Sequence, residues 1–567
     1  MPASSAVEPV SSAGVIEATV PPSERSSVSE LDWIDKEKEA LPEPAHGFPA
    51  HTFVQIGDTD TGVALQVSLG PEALDPKFSL SGLLQRYAIE GTDVLQKDAI
   101  ENKRFQSPFT WPMRKKMVVL SGTFLASLLS AYSAGAYALA AEPLRQRWHV
   151  TDTEYNIGIT LFVAGFGFSP MILAPVSEAH GRYWVFVGSG LVFFFGTLGC
   201  AVTSSYPGML VSRLVTGCGA AVYAALTGGV VSDLYHKEHR NTPMTLYSLS
   251  IMFGTGMGPL VSGAVVDSLG WHWIFYLQLI AIGVTTTIIF FFFEETRSNV
   301  ILTRKCQWLN GKKLRRAESR QRVLFAVGSG QALKVDISIL WTSFAFPLRL
   351  LATESVVFWF SLWLSFAWCI LYMQFSSIGF VFRRTYDFSS TEVGAVYTSV
   401  IVGAILGSIL AVAQAPITRL LLPRSTMTNT PEQRLLSPCV QSIFLPIGLF
   451  WFGWTSRQEI SWISPAIAIG SCTLGIFSIY LAVFDYLADT YHRYASSAIA
   501  ASSMCRNILA GIFPLITSKM LTNLTLGGAG SLLGGLGVLL TIIPWLLFFF
   551  GRKIRARSPF ARELQDS

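Results

Sequence analysis

Charge is scarce in this chain. Only 14% of its 567 residues are Asp, Glu, Lys or Arg, whereas a soluble globular protein carries about 25% charged residues. Hydrophobic residues make up 51% of the chain, and its mean hydropathy is +0.44. This composition excludes an ordinary soluble domain and predicts an integral membrane protein before any motif is considered.

Patterns for metal or disulfide bonding are also absent from the sequence. The 7 cysteines form no CxxC pair, and most lie within apolar stretches, which excludes an evident disulfide framework or zinc ribbon. His236 and His239 lie one helical turn apart without a third ligand nearby in sequence, so a solvated loop pair is expected rather than a metal site. With no catalytic constellation either, neither an enzyme nor a cofactor is predicted.

The first hundred residues lack a continuous apolar run, and no basic segment precedes an apolar core, so no cleavable signal peptide is predicted. This segment holds 16 acidic and 6 basic residues, a net charge of −10, and the remainder of the chain carries +15. Its composition predicts that residues 1–112 form a largely disordered cytoplasmic tail, with a short helix near Leu80–Ile89. A simple tether is favoured, and a regulatory role stays open.

Twelve apolar stretches occupy most of the remaining chain. About 20 apolar residues cross a bilayer as a helix, and backbone groups in lipid must be satisfied internally, so each stretch is predicted to be a transmembrane helix. The predicted spans cover residues 117–139, 155–175, 183–202, 209–232, 245–266, 273–293, 355–379, 394–413, 438–454, 463–487, 495–519 and 529–550.

The spans fall into two groups of six. The sequence therefore predicts an all-α membrane protein with two six-helix bundles, at residues 113–293 and 355–550. A basic linker at 294–354 joins the bundles, and a cytoplasmic C-terminal tail follows at 551–567.

Basic residues predict the orientation of these spans. Lys and Arg are frequent before span 1, in the linker and after span 12, whereas the loops on the other side carry few. This positive-inside bias places both termini in the cytoplasm. The linker is expected to lie on anionic lipid headgroups rather than to bind nucleic acid. The sequon at Asn523 offers a glycosylation acceptor in an external loop, although the short loop lies too close to the membrane to favour modification.

The loop between spans 2 and 3, residues 174–182, reads APVSEAHGR. It must turn the chain within a few residues, which explains Pro175 and Gly181. Glu178 and Arg182 place opposite charges at a helix boundary. Such a pair could latch the cytoplasmic side of one half and break on opening, or it could only orient the helices, and the spacing favours neither.

Charged residues also fall within predicted spans. Arg213 lies in span 4, where insertion of a charge costs about 2.5–3.5 kcal/mol, so it should face protein or water; snorkelling to the outer end is the alternative. Arg506 lies about 16 Å into span 11, at about 1.5 Å per residue, and either contacts substrate or pairs with a neighbouring helix. Asp485, one turn from Asp489, is either a proton-carrying carboxylate or a hydrated interfacial one.

Residues 254–263 of span 5 read GTGMGPLVSG. Gly254, Gly258 and Ser262 are four residues apart and form one smooth face on which another helix can approach closely. Pro259 removes a helix hydrogen bond and favours a bend. On its own, such spacing of small residues usually indicates plain helix packing.

Aromatic residues on span 7 offer walls for a cavity. Trp368, Tyr372 and Phe375 recur at helical spacing near one face. An aromatic cavity suits bulky amphiphilic substrates and permits broad specificity. The alternative is that these rings face lipid or the membrane interface.

These motifs together resemble the signature sequences of the major facilitator superfamily. Residues 174–182 resemble the fungal form of its loop motif, P-x-S-E-x-x-G-R, with Tyr183 where a second basic residue is usual. Arg213 and the small residues after it resemble the second motif, which implies that Arg213 takes part in proton coupling. Residues 254–263, followed by GWHWIF from residue 270, resemble the antiporter motif, which in this superfamily accompanies exporters rather than uptake carriers. This resemblance implies that Gly254, Gly258, Pro259 and Gly263 belong to a pliable hinge helix that seals the two halves against leak.

Further segments, including EETR from residue 294 and PEQRL from residue 431, are similar to fungal twelve-span drug:proton antiporters. The resemblance extends over residues from about 112 to 560. It implies the major facilitator fold and a proton-coupled exporter of drugs, toxins, polyamines or a secondary metabolite. An uptake carrier, a uniporter and a non-transporting sensor remain as alternatives.

The partners expected from the resemblance are a small-molecule cargo, protons and the lipid bilayer. A monomer is expected, without nucleic acid. The expected location is the plasma membrane, with the vacuolar membrane left open.

Overall fold

The structure is a computed structural model that describes residues 53–56, 63–69, 74, 89–90, 105–236, 239–311, 315–316, 322–327, 337–421, 435–491 and 495–555. In these residues, 12 helical segments are long and apolar enough to cross a membrane. This confirms the predicted fold class. The segments, numbered as spans 1 to 12, are Met113–Leu139, Asp152–His180, Arg182–Val202, Tyr206–Leu234, Asn241–Leu269, His272–Phe292, Ser355–Tyr386, Ser390–Val396 with Thr398–Leu421, Leu436–Gln441 with Phe444–Thr455, Ile463–Tyr491, Ala495–Asn523 and Thr525–Arg555.

Most helices extend past the predicted boundaries. Span 7 continues to Tyr386, with Arg383 and Arg384 in its last turn, where cations interact favourably with the helix dipole. The residues of span 7 after 379 lie beyond the apolar stretch from which its end was predicted. A helix does not need to end where its hydrophobic residues do.

Span 9 is interrupted, which the hydropathy pattern did not predict. Its two helices meet near Ser442 and Ile443. Pro446 has no N–H to donate to the Ser442 carbonyl, and the Leu445 N–H donates to that oxygen at 3.2 Å in a tighter turn. The proline therefore explains the change from one helix to the next.

The spans pack as two bundles. Spans 1 to 6 contact mainly one another, as do spans 7 to 12, and the bundles meet chiefly where span 2 packs on span 11 and span 5 packs on span 8. We call the end of the molecule where span 1 begins and span 12 ends the tail side. The opposite end, where spans 2 and 8 begin, is called the far side.

Equivalent helix caps mark the internal repeat of the two bundles. Thr151 caps span 2, accepting from the Glu154 N–H while the Glu154 carboxylate accepts from the Thr151 N–H at 2.7 Å. Ser389 and Glu392 form the same capping box at the start of span 8. Such a box satisfies two otherwise unpaired backbone donors. Both helices thus begin in the same way at the far side of their bundle.

The turn between spans 11 and 12 contains the predicted glycosylation acceptor. Asn523 ends span 11, and Thr525, at φ 60°, begins span 12. Asn523 is exposed, but only one residue separates the two helices. Its glycosylation stays a prediction.

A small sheet joins the N-terminal segment to the linker. Its strands are β1 (Phe53–Ile56), β2 (Val63–Leu69), β3 (Ile89–Glu90), β4 (Arg315–Arg316) and β5 (Arg322–Val327). The strand order is β1-β2-β5-β4-β3, with β2 parallel to β5.

The buried side chains of this sheet come from both segments. Val67 and Leu69 of β2 and Val323 and Phe325 of β5 are buried. The expectation of a largely disordered tail is therefore wrong for these strands. The helix predicted near Leu80–Ile89 lies outside the described residues except at Ile89, which belongs to β3.

Short helices complete the described chain. They are the 3-10 helix Pro108–Thr110, the helix Ala141–Trp148 between spans 1 and 2, and the linker helices Ser298–Gly311 and Ile337–Thr353. The helix Ile337–Thr353 packs against spans 2, 7 and 11. The linker therefore contacts both bundles on the tail side.

The parallel register of β2 and β5 predicts a specific cross-link. Ser68 is paired with Ala326, and partners on adjacent strands lie about 5 Å apart, within the Cα separation of about 7 Å that a disulfide allows. In a variant without the 7 native cysteines, S68C with A326C should cross-link on mild oxidation. The measurement is retention of the tail on a gel after cleavage at a protease site inserted within residues 91–104.

The matched control pairs S68C with V323C, which this register offsets by three residues, about 10 Å along the strand. Equal cross-linking of both pairs would contradict the register.

Candidate functional site

A narrow cavity lies between the two bundles. Both bundles contribute to its wall, which is mostly apolar and aromatic. The lining residues are Ser130, Ala131, Ala134, Phe166, Ala224, Ile251, Thr255, Trp368, Leu371, Tyr372, Tyr480 and Arg506. A largely apolar cavity with a few convergent polar groups is the usual form of a small-molecule site.

Arg506 brings a positive charge to this wall. Its side chain is 6% exposed, and its guanidinium carbon lies 4.5 Å from the ring centroid of Trp368 and 5.7 Å from that of Tyr480. Nε donates to Oδ1 of Asn507 at 3.3 Å. This position puts Arg506 at the cavity wall, and its contact with a substrate stays a prediction.

Two of the three predicted cavity aromatics line the wall. Trp368 and Tyr372 face the cavity, and Trp368 stacks on Tyr480 with centroids 5.0 Å apart. Phe375 is buried one turn further along, with its ring edge-on to Tyr372 at 5.4 Å. Because all three side chains are buried, the alternative that they face lipid does not apply to them.

Arg213 lies inside the first bundle rather than on the cavity wall. It is 1% exposed, so it does not snorkel to the outer surface. Nη1 donates to the Ser133 carbonyl at 3.2 Å and Nε to the Gly158 carbonyl at 3.4 Å. The guanidinium is held between the rings of Tyr137 and Phe162, at 4.4 and 4.3 Å. Arg213 thus joins spans 1, 2 and 4 through carbonyl and cation–π contacts.

On the far side, spans 2 and 11 are joined by polar contacts between the bundles. Nδ2 of Asn156 donates to the Pro514 carbonyl at 2.9 Å. The Thr160 hydroxyl donates to the Gly511 carbonyl at 2.7 Å. The cavity is therefore closed toward the far side along this pair of helices.

The glycines of span 5 serve two different interfaces. Gly254 and Gly258 face span 1, where a Cβ would overlap the carbonyls of Leu128 and Tyr132. The face predicted from their four-residue spacing is therefore a packing face within the first bundle.

Gly263 instead faces span 8 of the second bundle, where a Cβ would overlap the Ser390 carbonyl. Gly256, which the motif did not single out, also lies against span 8, and a Cβ there would meet Ile401 Cγ1 at 2.7 Å. Pro259 lies between them, inside the helix, and its carbonyl approaches Gly394. Close packing of spans 5 and 8 thus closes the second inter-bundle seam on the far side.

The charges of the loop between spans 2 and 3 have different partners from the predicted pair. Arg182 donates from Nε to the Asp233 carboxylate at 2.5 Å, and both side chains are largely buried. Glu178 lies 4.0 Å from Arg297, which also lies 3.5 Å from Asp233. The expected Glu178–Arg182 pair is therefore wrong, because Arg182 forms its salt bridge with Asp233 at the end of span 4.

Glu295 and Gly181 complete this group. The Glu295 carboxylate accepts from the N–H groups of Arg182 and Tyr183 at 3.0 and 3.3 Å, at the N-terminus of span 3, where an anion is favoured. Gly181 has φ 100° and ψ 159°, a conformation almost limited to glycine, and the Glu295 carboxylate fills the space of a Cβ. Pro175 lies within the last turns of span 2.

We call Glu178, Arg182, Asp233, Glu295 and Arg297 the tail-side cluster. All its members belong to the first bundle or to the segment directly after span 6. The cluster therefore joins spans 2, 3, 4 and 6 of one half.

Arg240, just before span 5, links this region to the second bundle. Burial lowers the pKa of Arg240, and the carboxylates of Asp233, Asp489 and Asp485 oppose that effect. Asp485 and Asp489 lie on span 10, so the field of Arg240 acts across the bundle boundary. Asp485 is thus at the tail side near an arginine of the other half and is not part of the cavity wall described above.

Sequence reasoning missed Asp233, Arg240 and Asn156. Asn156 is a polar residue inside a predicted apolar span, the signal that drew attention to Arg213 and Arg506, whereas Asp233 lies one residue beyond the predicted end of span 4. Glu295 was noted only as part of the EETR segment. None of these residues has a local spacing that reveals its partner.

The described residues contain no group of three or more His, Cys, Asp and Glu side chains arranged to hold a metal. The cavity between the two bundles offers one guanidinium, that of Arg506, with aromatic rings and hydroxyl groups, and a second guanidinium, that of Arg213, is buried within the first bundle. Such a cavity at a repeat interface, closed on one side, is the arrangement of a secondary transporter.

Residues 123–514 match the Major Facilitator Superfamily. Because this match covers most of the chain, the protein belongs to that superfamily. It is a multi-pass integral membrane transporter and not an enzyme.

Relatives with similar sequences include a transporter and a probable drug/proton antiporter. The chain is 33% identical over 460 residues to the MFS transporter cpaT of Aspergillus oryzae, covering 80% of this chain and 90% of the relative. It is 28% identical over 440 residues to the probable drug/proton antiporter YHK8 of Saccharomyces cerevisiae, covering 77% and 84%. The proton:xylose symporter XylE has the same fold, with a TM-score of 0.54 at 14% identity over 77% of this chain and 97% of the other.

The contact of Gly181 with Glu295 predicts an effect of G181A on stability. A residue other than glycine in this conformation costs about 1–3 kcal/mol, and its Cβ must also displace the Glu295 carboxylate. G181A should therefore unfold at lower temperature in detergent than the wild type. The matched control is G188A in span 3, whose Cβ would meet no atom within 4 Å; equal unfolding temperatures for both variants would contradict this role.

Proposed function

We propose that the protein exports a small organic compound in exchange for protons. The observation that carries this proposal is the aromatic cavity between two bundles whose far side is closed by spans 2 and 11 and by spans 5 and 8. Rocking of the bundles about such a midplane site would expose it alternately to the two sides of the membrane. Drugs, toxins, polyamines and a secondary metabolite are the cargo classes that the family resemblance offers.

The tail side is the cytoplasmic side in this proposal. The linker and both terminal segments carry most of the basic residues near the membrane, which supports retention in the cytoplasm. Cargo would then enter the cavity from the tail side and leave when spans 5 and 8 separate on the far side. The plasma membrane is the proposed location, with the vacuolar membrane as the alternative.

Coupling to protons is assigned to Arg213 and Asp485. Arg213 is a fully buried charge at the junction of spans 1, 2 and 4, and buried charges in spans mark proton and substrate pathways. Asp485 lies in the field of Arg240 across the bundle boundary. Protonation of Asp485 would remove its negative charge, weaken the attraction between the halves and favour opening of the tail side.

Transport in everted vesicles tests the proposed function. Vesicles from a host without its own drug pumps would be given an acidic interior, with fluorescein and rhodamine 6G as anionic and cationic probes on one ring scaffold. We expect uptake of at least one probe that a protonophore abolishes. Uptake unchanged by the protonophore would refute coupling, and greater probe content in whole cells that express the protein would indicate an uptake carrier.

The coupling residues predict a second result in the same vesicles. R213A and D485N should each reduce uptake driven by the pH gradient by about tenfold or more, a loss of about 1.4 kcal/mol, while movement down a probe gradient persists. R213K keeps the charge and should retain more coupling than R213A. The control R457Q changes an arginine outside the spans; retention of pH-driven uptake by R213A would assign Arg213 no part in coupling.

A further inference from the structure

The charge at the cavity has no counter-charge on the cavity wall. Among the described lining residues, Arg506 is the single Lys or Arg and no Asp or Glu is present. The remaining polar side chains are hydroxyls from Ser130, Thr255, Tyr372 and Tyr480. Burying a guanidinium is costly unless it is paired and hydrogen-bonded. The cavity wall gives the Arg506 guanidinium no carboxylate to pair with.

The hydrogen bonds of Arg506 show the same deficit. Nε donates to Asn507, but within the described part of the chain Nη1 is buried without a hydrogen-bond partner. Asn507 in turn donates from Nδ2 to the Phe166 carbonyl of the first bundle at 3.4 Å. Nη1 of this permanently charged guanidinium is therefore available to an acceptor that the protein does not provide.

The aromatic rings around Arg506 restrict where that group can bind. The guanidinium lies over Trp368 and near Tyr480, which holds a planar side chain in one orientation. Phe166 and Tyr372 complete the aromatic lining. Tyr372 is within electrostatic range of both Arg506 and Arg213, so the potential at this part of the cavity is positive.

We propose that the cargo is an organic anion: a compound with a carboxylate or another ionised acid group on a flat, apolar body. Its acid group pairs with Arg506, and its body lies against Trp368, Tyr372 and Tyr480. The inference rests on the proposed function, because it takes this cavity as the cargo site. It selects against polyamines and cationic drugs, whose ammonium groups would meet Arg506 without a carboxylate to compensate.

Binding to the purified full-length protein in lipid nanodiscs tests this proposal without any pH gradient. The probes are 1-naphthoate, 1-naphthamide and 1-naphthylmethylammonium, which share a ring system and differ in charge. Affinity is measured by thermal shift and by quenching of tryptophan fluorescence, since Trp368 lies in the cavity wall. We expect the affinity for naphthoate to be about tenfold or more above that for the other two probes, because only naphthoate can form a charge-assisted hydrogen bond with Arg506.

Variants of Arg506 assign the preference to its charge. R506Q should lose the preference for naphthoate, with affinity lowered about tenfold or more, while binding of the neutral naphthamide is kept. R506K keeps the charge without the planar fork and should fall between the two. The matched control is R457Q, since Arg457 also lies over a tryptophan, Trp454 at 5.4 Å, but outside the cavity.

The outcomes separate this proposal from the proposed function. Equal binding of the three probes, tighter binding of the ammonium compound, no binding of naphthoate to the folded wild type, or an unchanged preference in R506Q would each overturn the anion site. Naphthoate binding that depends on Arg506, combined with vesicle uptake that a protonophore leaves unchanged, would support the anion site and refute proton coupling instead.

Discussion

Hydrocarbon offers no hydrogen-bond partner to a peptide group, and this constraint determines the rest of the structure. It requires that each span be helical, and it confines charged side chains to the surfaces where helices meet. Arg213 and Arg506 satisfy the constraint in different ways. Arg213 lies among carbonyls and rings of its own bundle, whereas Arg506 lies on the wall of the cavity between the two bundles. Among the described residues, each guanidinium keeps one buried nitrogen without a hydrogen-bond partner, Nη2 of Arg213 and Nη1 of Arg506.

The two bundles interact in different ways on the two sides of the molecule. On the far side, backbone atoms approach one another across Gly263 and Gly256, and amide or hydroxyl groups reach carbonyls at Asn156 and Thr160. On the tail side, the bundles interact through the field of Arg240. The far-side contacts depend on side-chain volume, whereas the tail-side interaction depends on charge and therefore on ionic strength and protonation. Conditions that change one of them need not change the other.

The sequence predicted those features that depend on local pattern. Apolar length gave the twelve spans, and embedded charge identified Arg506 and Arg213 as unusual. It could not give partners that are distant along the chain: Arg182 pairs with Asp233 rather than with Glu178, and Gly263 differs from Gly258 in the bundle that it faces. Helical spacing indicates that residues share a face, but not which neighbour covers that face. The break in span 9 follows from Pro446. Hydropathy does not detect it, because a hydropathy scale does not measure the hydrogen bond that a proline removes.

The sheet shared by the tail and the linker was not predicted, because β2 and β5 are far apart in sequence and neither is long. Their parallel pairing has a consequence for biosynthesis. Residues 63–69 leave the ribosome before span 1, but their partners at 322–327 follow only after span 6. The sheet cannot close until six helices have been synthesised, and it closes only if an even number of them has crossed the bilayer. A first bundle with one helix left out would hold the two strands on opposite faces of the membrane, so completion of this sheet reports that an even number of helices has crossed the bilayer.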